Sequence, residues 1–267
     1  MNKVAIIYDF DQTLCTKNMQ EYSLLQLLNL KANDFWQEVV DLAKTSNMDP
    51  ILAYMYLLVK YAKKQNIRLT KDKLLSFGKD IEFFPGVETY FDRINDYGRE
   101  KDIEVQHFIV SSGTSELIQG CSISKYFKKI YSCQFHYDEN GDIDWPALAI
   151  NYTGKTQFLY RINKGCLEVY DNSTINAKVS IKDIDFDHMV YIADGYSDVP
   201  CMTLVKNYGG YAIAVGEEEN KNRQQLLLDG RVNYVAKPDY QEKSELDLII
   251  HSIIDKIAIE DKLKQYR

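Results

Sequence analysis

Histidine is scarce in this chain of 267 residues, with four, at 107, 136, 188 and 251. They are scattered, none has metal-ligand spacing, and they read as structural or exposed side chains. Five cysteines, at 15, 121, 133, 166 and 201, form no CxxC pair. An odd, dispersed set suits reduced thiols better than a disulfide framework. A basic excess is also missing: the formal charge is −7, which argues against a binder of phosphate backbones, so no nucleic-acid partner is expected. No apolar run approaches the ~20 residues of a membrane span. Ile51 to Val59 covers about half of one, and Asp9 and Asp11 cut the N-terminal run short of a secretory h-region. Internal repeats and low-complexity tracts are absent. These absences lead to an expectation of a cytoplasmic protein with no membrane partner.

What remains is an enzyme-like composition. The chain is 45% hydrophobic, and its length corresponds to roughly two domains. Residues 3 to 8 are apolar and read as a buried central strand that delivers Asp9 and Asp11 to its C-terminal end. In open α/β sheets that end is where ligands bind. Two acids one residue apart repel each other unless a cation or a shared proton relieves them.

From about residue 18 to 82 the pattern is helical, with Asp49-Pro50 as a helix start. Phe84-Pro85-Gly86 closes that zone with a turn signal. Strands then alternate with helical segments: Val105 to Val110, Lys129 to Phe135, Met189 to Ala193, Tyr211 to Val215 and Val232 to Val235. That alternation predicts a doubly wound α/β fold with a mainly parallel sheet. The last helix carries an apolar stripe of Leu246, Ile249, Ile250, Ile253, Ile254 and Ile257. Core packing is the preferred reading of the stripe, and a dimer contact is the alternative, so monomer and homodimer both stay open.

The predicted organisation is a catalytic core of residues 1–14 and 85–267, interrupted by a helical cap of residues 15–84. An insertion at that point overhangs the strand bearing Asp9 and Asp11 and is placed to act as a lid. Three more strand-end features join the acids. Phe108-Ile109-Val110 runs into Ser111-Ser112-Gly113 and then a helical segment, so a hydroxyl is followed by free amides that suit an anion. Lys155 follows Gly154. Tyr191-Ile192-Ala193 runs into Asp194 and, four residues on, Asp198. Any one of these could be an ordinary cap or turn. Their joint occurrence in this order is hard to produce by turn chemistry alone.

The sequence here resembles the haloacid dehalogenase (HAD) superfamily, with Asp9-Phe10-Asp11-Gln12-Thr13 as the first motif, Ser111 as the second, Lys155 as the third and Asp194-Gly195-Tyr196-Ser197-Asp198 as the fourth. The inserted helices resemble the cap of the phosphoserine phosphatase-like branch. The resemblance implies a Rossmann-like core and a phosphatase acting on a small phosphorylated metabolite. It makes Asp9 the nucleophile that forms an aspartyl-phosphate, and Asp11 the general acid and base. Thr13 would orient Asp11 through its hydroxyl. Ser111, the amides of Ser112 and Gly113, and Lys155 would hold the phosphoryl oxygens. A magnesium ion would be held by the Asp9 side chain, the Asp11 carbonyl and Asp194. Asp198 would orient metal-bound water or pair with Lys155.

An aspartate at position 11 suits phosphoryl transfer, because a halide leaving group needs no general acid. Phosphotransferase, phosphomutase and a silent binding module of the same fold are the alternatives. Where phosphoserine phosphatases carry a Glu and an Arg in the cap, this chain has Asn18 and Tyr54, which puts phosphoserine in doubt; Glu21 and Arg68 are substitutes if the alignment slips. Lys60, Lys63, Lys64, Arg68, Lys71, Lys73 and Lys79 form a cationic run read as a solvated face rather than a substrate funnel. Cys15 reads as a buried hinge residue. The segment from 166 to 187 carries no assignment.

Overall fold

In the computed structural model, which describes residues 2–178, 182–216 and 221–266, β1 (Asn2–Tyr8) lies at the centre of a seven-stranded sheet. The others are β2 (Ile103–Thr114), β3 (Phe127–Tyr137), β4 (Ile143–Leu148), β5 (Met189–Ala193), β6 (Tyr211–Val215) and β7 (Tyr234–Ala236). Their order is β4-β3-β2-β1-β5-β6-β7, and every pairing is parallel except β3 with β4. The chain leaves β1 toward β2 on one side and returns to β5 on the other. The point where strand order reverses is therefore the gap between β1 and β5, at the residues that follow them. Helices cover both faces: α5 (Val87–Glu100), α6 (Ser115–Gly120), α7 (Thr156–Lys164), α9 (Val199–Asn207), α10 (Lys221–Leu228) and α11 (Glu245–Lys264), with a short α8 (Asn172–Asn176) beyond α7. Strands β1, β5 and β6 are continuous buried runs, as expected of parallel strands covered on both faces.

Between β1 and α5 come α1 (Leu24–Leu27), α2 (Ala32–Ser46), α3 (Pro50–Gln65) and α4 (Lys71–Phe77). Helix α3 starts where the sequence placed it. The Asp49 side chain accepts from the amides of Ile51 and Leu52 at 2.9 and 3.1 Å, and Pro50 occupies the first turn, where no amide is needed. Two linkers join the insert to the sheet and pair with each other: the Phe84 amide donates to Leu14 O and the Thr16 amide to Glu82 O, both at 3.0 Å. Cys15 is buried between them, opposite Phe83. The insert also docks on α6, where α4 approaches backbone to backbone at Gly78 and Gly120.

Three elements differ from the sequence expectation. β4 was not predicted; it is an edge strand carrying Pro146 and an exposed Trp145, so it lacks the apolar alternation of a core strand. β2 runs on through Ser111, Ser112 and Gly113 instead of ending at Val110. Its register slips there, since Val110 faces Tyr131 and Thr114 faces Cys133, four steps on β2 against two on β3. β7 begins two residues later than expected. The apolar stripe of α11 packs inward at Leu246, Ile250, Ile253, Ile254 and Ile257, while Ile249 is half-buried. Within 166–187, residues 179–181 lie outside the described residues. The part before them is tied down by the buried Arg161, which donates to the carbonyls of Glu168, Val169 and Asp171. Among the described residues, no helix is long and apolar enough to cross a membrane.

Candidate active site

The ends of β1 and β5 set the centre of the site. The Asp9 amide still donates to Ile192 O at 3.0 Å, so Asp9 is held as rigidly as the strand before it. After Asp11 the chain reverses through Gln12, whose φ of 55° is a left-handed conformation that costs a side-chain-bearing residue energy. The turn brings the amides of Thr13, Leu14 and Cys15 onto the single carbonyl of Phe10, at 3.3, 2.9 and 3.3 Å. Strain at one residue thus buys a tight loop that keeps both acids at the sheet edge.

Lys155 comes from the turn before α7 and is fully buried. Its Nζ lies 3.0 Å from Asp9 Oδ1, and 2.8 and 3.0 Å from the two carboxylate oxygens of Asp198. Asp198 also accepts from the hydroxyls of Tyr191 and Ser197. It therefore pairs with Lys155, the second of the two roles the sequence left open. Asp194, at the end of β5, completes a cluster in which carboxylate oxygens of Asp9, Asp194 and Asp198 lie within 4.8 Å of one another.

Four carboxylates converge here on one buried cation, and their acidities record the imbalance. Burial, then the charge of Asp198, push Asp9 up to about 6, although the Lys155 ammonium pulls the other way. Burial, then Asp9 and Asp198, push Asp194 up to about 7. Asp11 is held well above the carboxylate range by burial and by Asp9, against the opposing Met19 amide. Burial works against the charge on Lys155, but Asp198 and Asp9 outweigh it and keep it protonated. A cluster of hard oxygen donors with unrelieved negative charge fits a divalent cation. The residues that could hold one are Asp9, Asp194 and Asp198, with the Asp11 carbonyl two residues past Asp9.

On the β2 side Ser111 is fully buried, and the Gly113 amide donates to its Oγ at 3.0 Å. That amide is engaged by the hydroxyl rather than free, within the stretch where the β2–β3 register slips. Ser112 turns its own hydroxyl to Ile150 O at 2.7 Å. Thr13 makes no hydrogen bond to Asp11 of the kind the resemblance implied: its Oγ1 is buried and has no hydrogen-bond partner among the described residues. Asp11 is instead oriented by the Met19 amide at 2.7 Å, with the Cys15 thiol at 3.8 Å.

The insert also supplies residues to this region, among them Met19, which the sequence did not flag. Met19 packs so closely on Gly113 that a side chain there would collide with the thioether, and its sulfur accepts from the Thr114 amide. The buried Tyr54 donates to Ser112 O at 2.9 Å. Asn18 and the Trp36 indole both donate to Glu21 Oε1, at 2.6 and 2.7 Å, so Glu21 is already engaged. Arg68 is exposed and pairs with Asp142 and Asn140 O on the β3–β4 hairpin, so it does not serve the site. The other lysines of the cationic run are also exposed, as a solvated face requires. Chain spacing singled out position 54 but could not reveal Met19, nor the approach of either residue to β2, which depends on how the insert folds over.

No family model matches the sequence. An uncharacterized protein of Borreliella burgdorferi is 27% identical over 285 aligned residues, which span 97% of this chain and 98% of that protein. Among solved structures, a HAD family hydrolase from Salmonella enterica serovar Typhi superposes with a TM-score of 0.61 at 16% identity, covering 93% of this chain and 71% of that one. A substrate-bound phosphoserine phosphatase gives 0.60 at 15% identity, with 94% and 99% covered. A phosphoserine phosphohydrolase-like protein from Francisella tularensis gives 0.51 at 19%, with 93% and 98% covered. Over nearly its whole length, then, this chain has the fold shared by a HAD family hydrolase and phosphoserine phosphatases.

Proposed function

We propose that this protein is a cytoplasmic, magnesium-dependent phosphatase that hydrolyses a small phosphorylated metabolite through an aspartyl-phosphate on Asp9. The observation that carries the reading is the convergence of Asp9, Lys155, Asp194 and Asp198 where the ends of β1 and β5 meet the turn bearing Lys155, with Met19 of the helical insert bonded to Asp11 beside them. The fold shared with phosphatases supports it. Residues 15–84 act as the cap in this reading.

Asp9 Oδ attacks phosphorus and the bond to the leaving oxygen breaks. Asp11 gives that oxygen its proton, so the alcohol departs neutral. Asp11, now a carboxylate, takes a proton from water as the water attacks the aspartyl-phosphate. Inorganic phosphate is released and Asp9 is restored. The Asp11 proton is at hand because its folded-state acidity is so weak. Lys155 stabilises charge on the transferring phosphoryl oxygens and, through Asp198, stays fixed while doing so. Ser111 Oγ offers a hydroxyl to the same oxygens. A bound magnesium ion would neutralise charge between phosphate and carboxylates.

Hydrolysis of an aryl phosphate by the purified protein, with and without magnesium, tests this reading alongside Asp9→Asn. The expected result is magnesium-dependent turnover, reduced by the substitution on the order of 10³-fold or more. Full activity in Asp9→Asn would remove the nucleophile assignment.

A further inference from the structure

The insert is joined to the sheet by two linkers, and one residue from the far end of the chain bonds to both. Tyr240 lies between β7 and α11 and is fully buried. Its hydroxyl donates to the Thr13 carbonyl at 2.9 Å, on the first linker and two residues past Asp11. Its backbone amide donates to Pro85 O at 2.8 Å, on the second. The contact with the second linker is possible because residue 86 is glycine. At φ 82°, a Cβ there would stand 2.4 Å from the Gln241 amide nitrogen and 2.5 Å from the Tyr240 carbonyl carbon. The Tyr240 ring packs edge-on against Tyr90 at 5.1 Å, and its carbonyl accepts from Arg93, which is paired with Asp247 on α11.

We propose that Tyr240 is a positioning residue for the Asp9–Thr13 loop and a common clamp on both hinges of the helical insert. The reason is geometric. The tight loop after Asp11 is closed at its start by the Phe10 carbonyl, and at its end by the Tyr240 hydroxyl. The linkers pair with each other just beyond that point, so they move together as a two-stranded hinge whose root is held at one side chain. Releasing the hydroxyl frees the Thr13 carbonyl and lets the loop carrying Asp11 relax. The core of the sheet keeps its packing. The catalytic consequence rests on the phosphatase reading above; the hinge consequence does not.

The test is Tyr240→Phe, which removes only the hydroxyl, compared with Tyr131→Phe. Tyr131 is also a buried tyrosine whose hydroxyl donates to a backbone carbonyl at 2.9 Å, that of Leu167, but it takes no part in the site. Amide exchange is followed on residues 13–16 and 82–86, and steady-state kinetics with an aryl phosphate in magnesium. In Tyr240→Phe both linkers should exchange about 10-fold or more faster, and kcat should fall about 10-fold with KM little changed. Tyr131→Phe should leave linker exchange and kcat at the wild-type level. Unchanged linker exchange in a folded Tyr240→Phe would overturn the clamp, whatever the activity. Faster exchange in both linkers with kcat unchanged would overturn the positioning role alone. If the wild type hydrolyses nothing, the phosphatase reading fails, and the exchange result still decides the clamp.

Discussion

Lys155 Nζ and Asp198 Oδ1 lie 2.8 Å apart, and neither side chain reaches solvent. A buried ion pair is weak evidence of net stability, but removing one partner is costly because it strands the other charge. Here the stranded charges are plural, since Asp9 shares the same ammonium at 3.0 Å. Lys155→Met should therefore cost about 3–5 kcal/mol at pH 8. The loss should shrink at pH 5, where protons can neutralise the acids. Urea unfolding at the two pH values checks this, and a loss that did not depend on pH would contradict the account.

The acid cluster also sets how magnesium binding depends on pH. Asp9 and Asp194 are pushed up to about 6 and about 7. Without metal the folded state therefore holds more protons than the unfolded state between about pH 4 and pH 7, and stability falls as pH rises through that window. Magnesium competes with those protons, so its apparent affinity should weaken as pH drops below 7. Thermal melts at pH 8 should show a rise in Tm with magnesium, a smaller rise at pH 5.5, and almost none in Asp194→Asn. A full magnesium shift in that variant would place the ion elsewhere.

A second charged cluster, at the N-terminal ends of β1 and β5, should govern stability at neutral pH. His188 contacts Asp187 through Nδ1 at 2.6 Å and Asp261 through Nε2 at 2.9 Å, and Lys264 pairs with both carboxylates. Asn2 also donates to Asp261. Burial opposes a charge on His188, but Asp261 and Asp187 outweigh it and raise its pKa. Both acids end up lowered, through His188 and Lys264. The histidine's contribution is fully present below about pH 6.5 and is lost as pH rises through its raised value. The acids' contribution is lost as pH falls below about 4. The wild-type Tm should therefore decline above pH 6.5, and His188→Gln should flatten that decline. A decline of the same size in the variant would assign it to other groups.

The insert's docking on α6 depends on two glycines. A Cβ on Gly120 would lie 1.9 Å from Leu75 O, and one on Gly78 would lie 2.4 Å from the Gly120 carbonyl carbon. Both obstacles are backbone atoms, which cannot swing aside. Gly120→Ala should cost about 1–3 kcal/mol and increase protease cleavage within residues 66–82 before global unfolding. Wild-type cleavage rates would show that this contact does not hold the insert.

Much of this arrangement is legible along the chain. β5 and the buried part of β1 are short apolar runs followed by acids, and helix α3 is started by an Asp-Pro pair, so local chemistry alone locates them. Asp9 and Asp194 could be named because each sits immediately after a strand, where chain direction forces it to the sheet edge, with Asp11 and Asp198 a few residues on. β4 was not legible, since an edge strand is half-solvated and its composition follows no strong pattern. The engagement of Ser111 Oγ by the Gly113 amide was hidden by a register slip that only the β2–β3 pairing creates.

What the sequence determined by itself, then, was the alternation of strands and helices, the place of the insertion, and the acids that follow β1 and β5, because these follow from periodicity and from residues adjacent in the chain; Lys155 stood out only through the resemblance of the ordered motifs. Only the tertiary structure decided that Lys155 pairs with Asp198 and Asp9, that Thr13 leaves its hydroxyl unpartnered, that Met19 and Tyr54 close on β2, and that Tyr240 holds both linkers. Each of these joins residues distant along the chain. Such contacts are set by how whole elements pack against one another, and no local pattern of side chains encodes them.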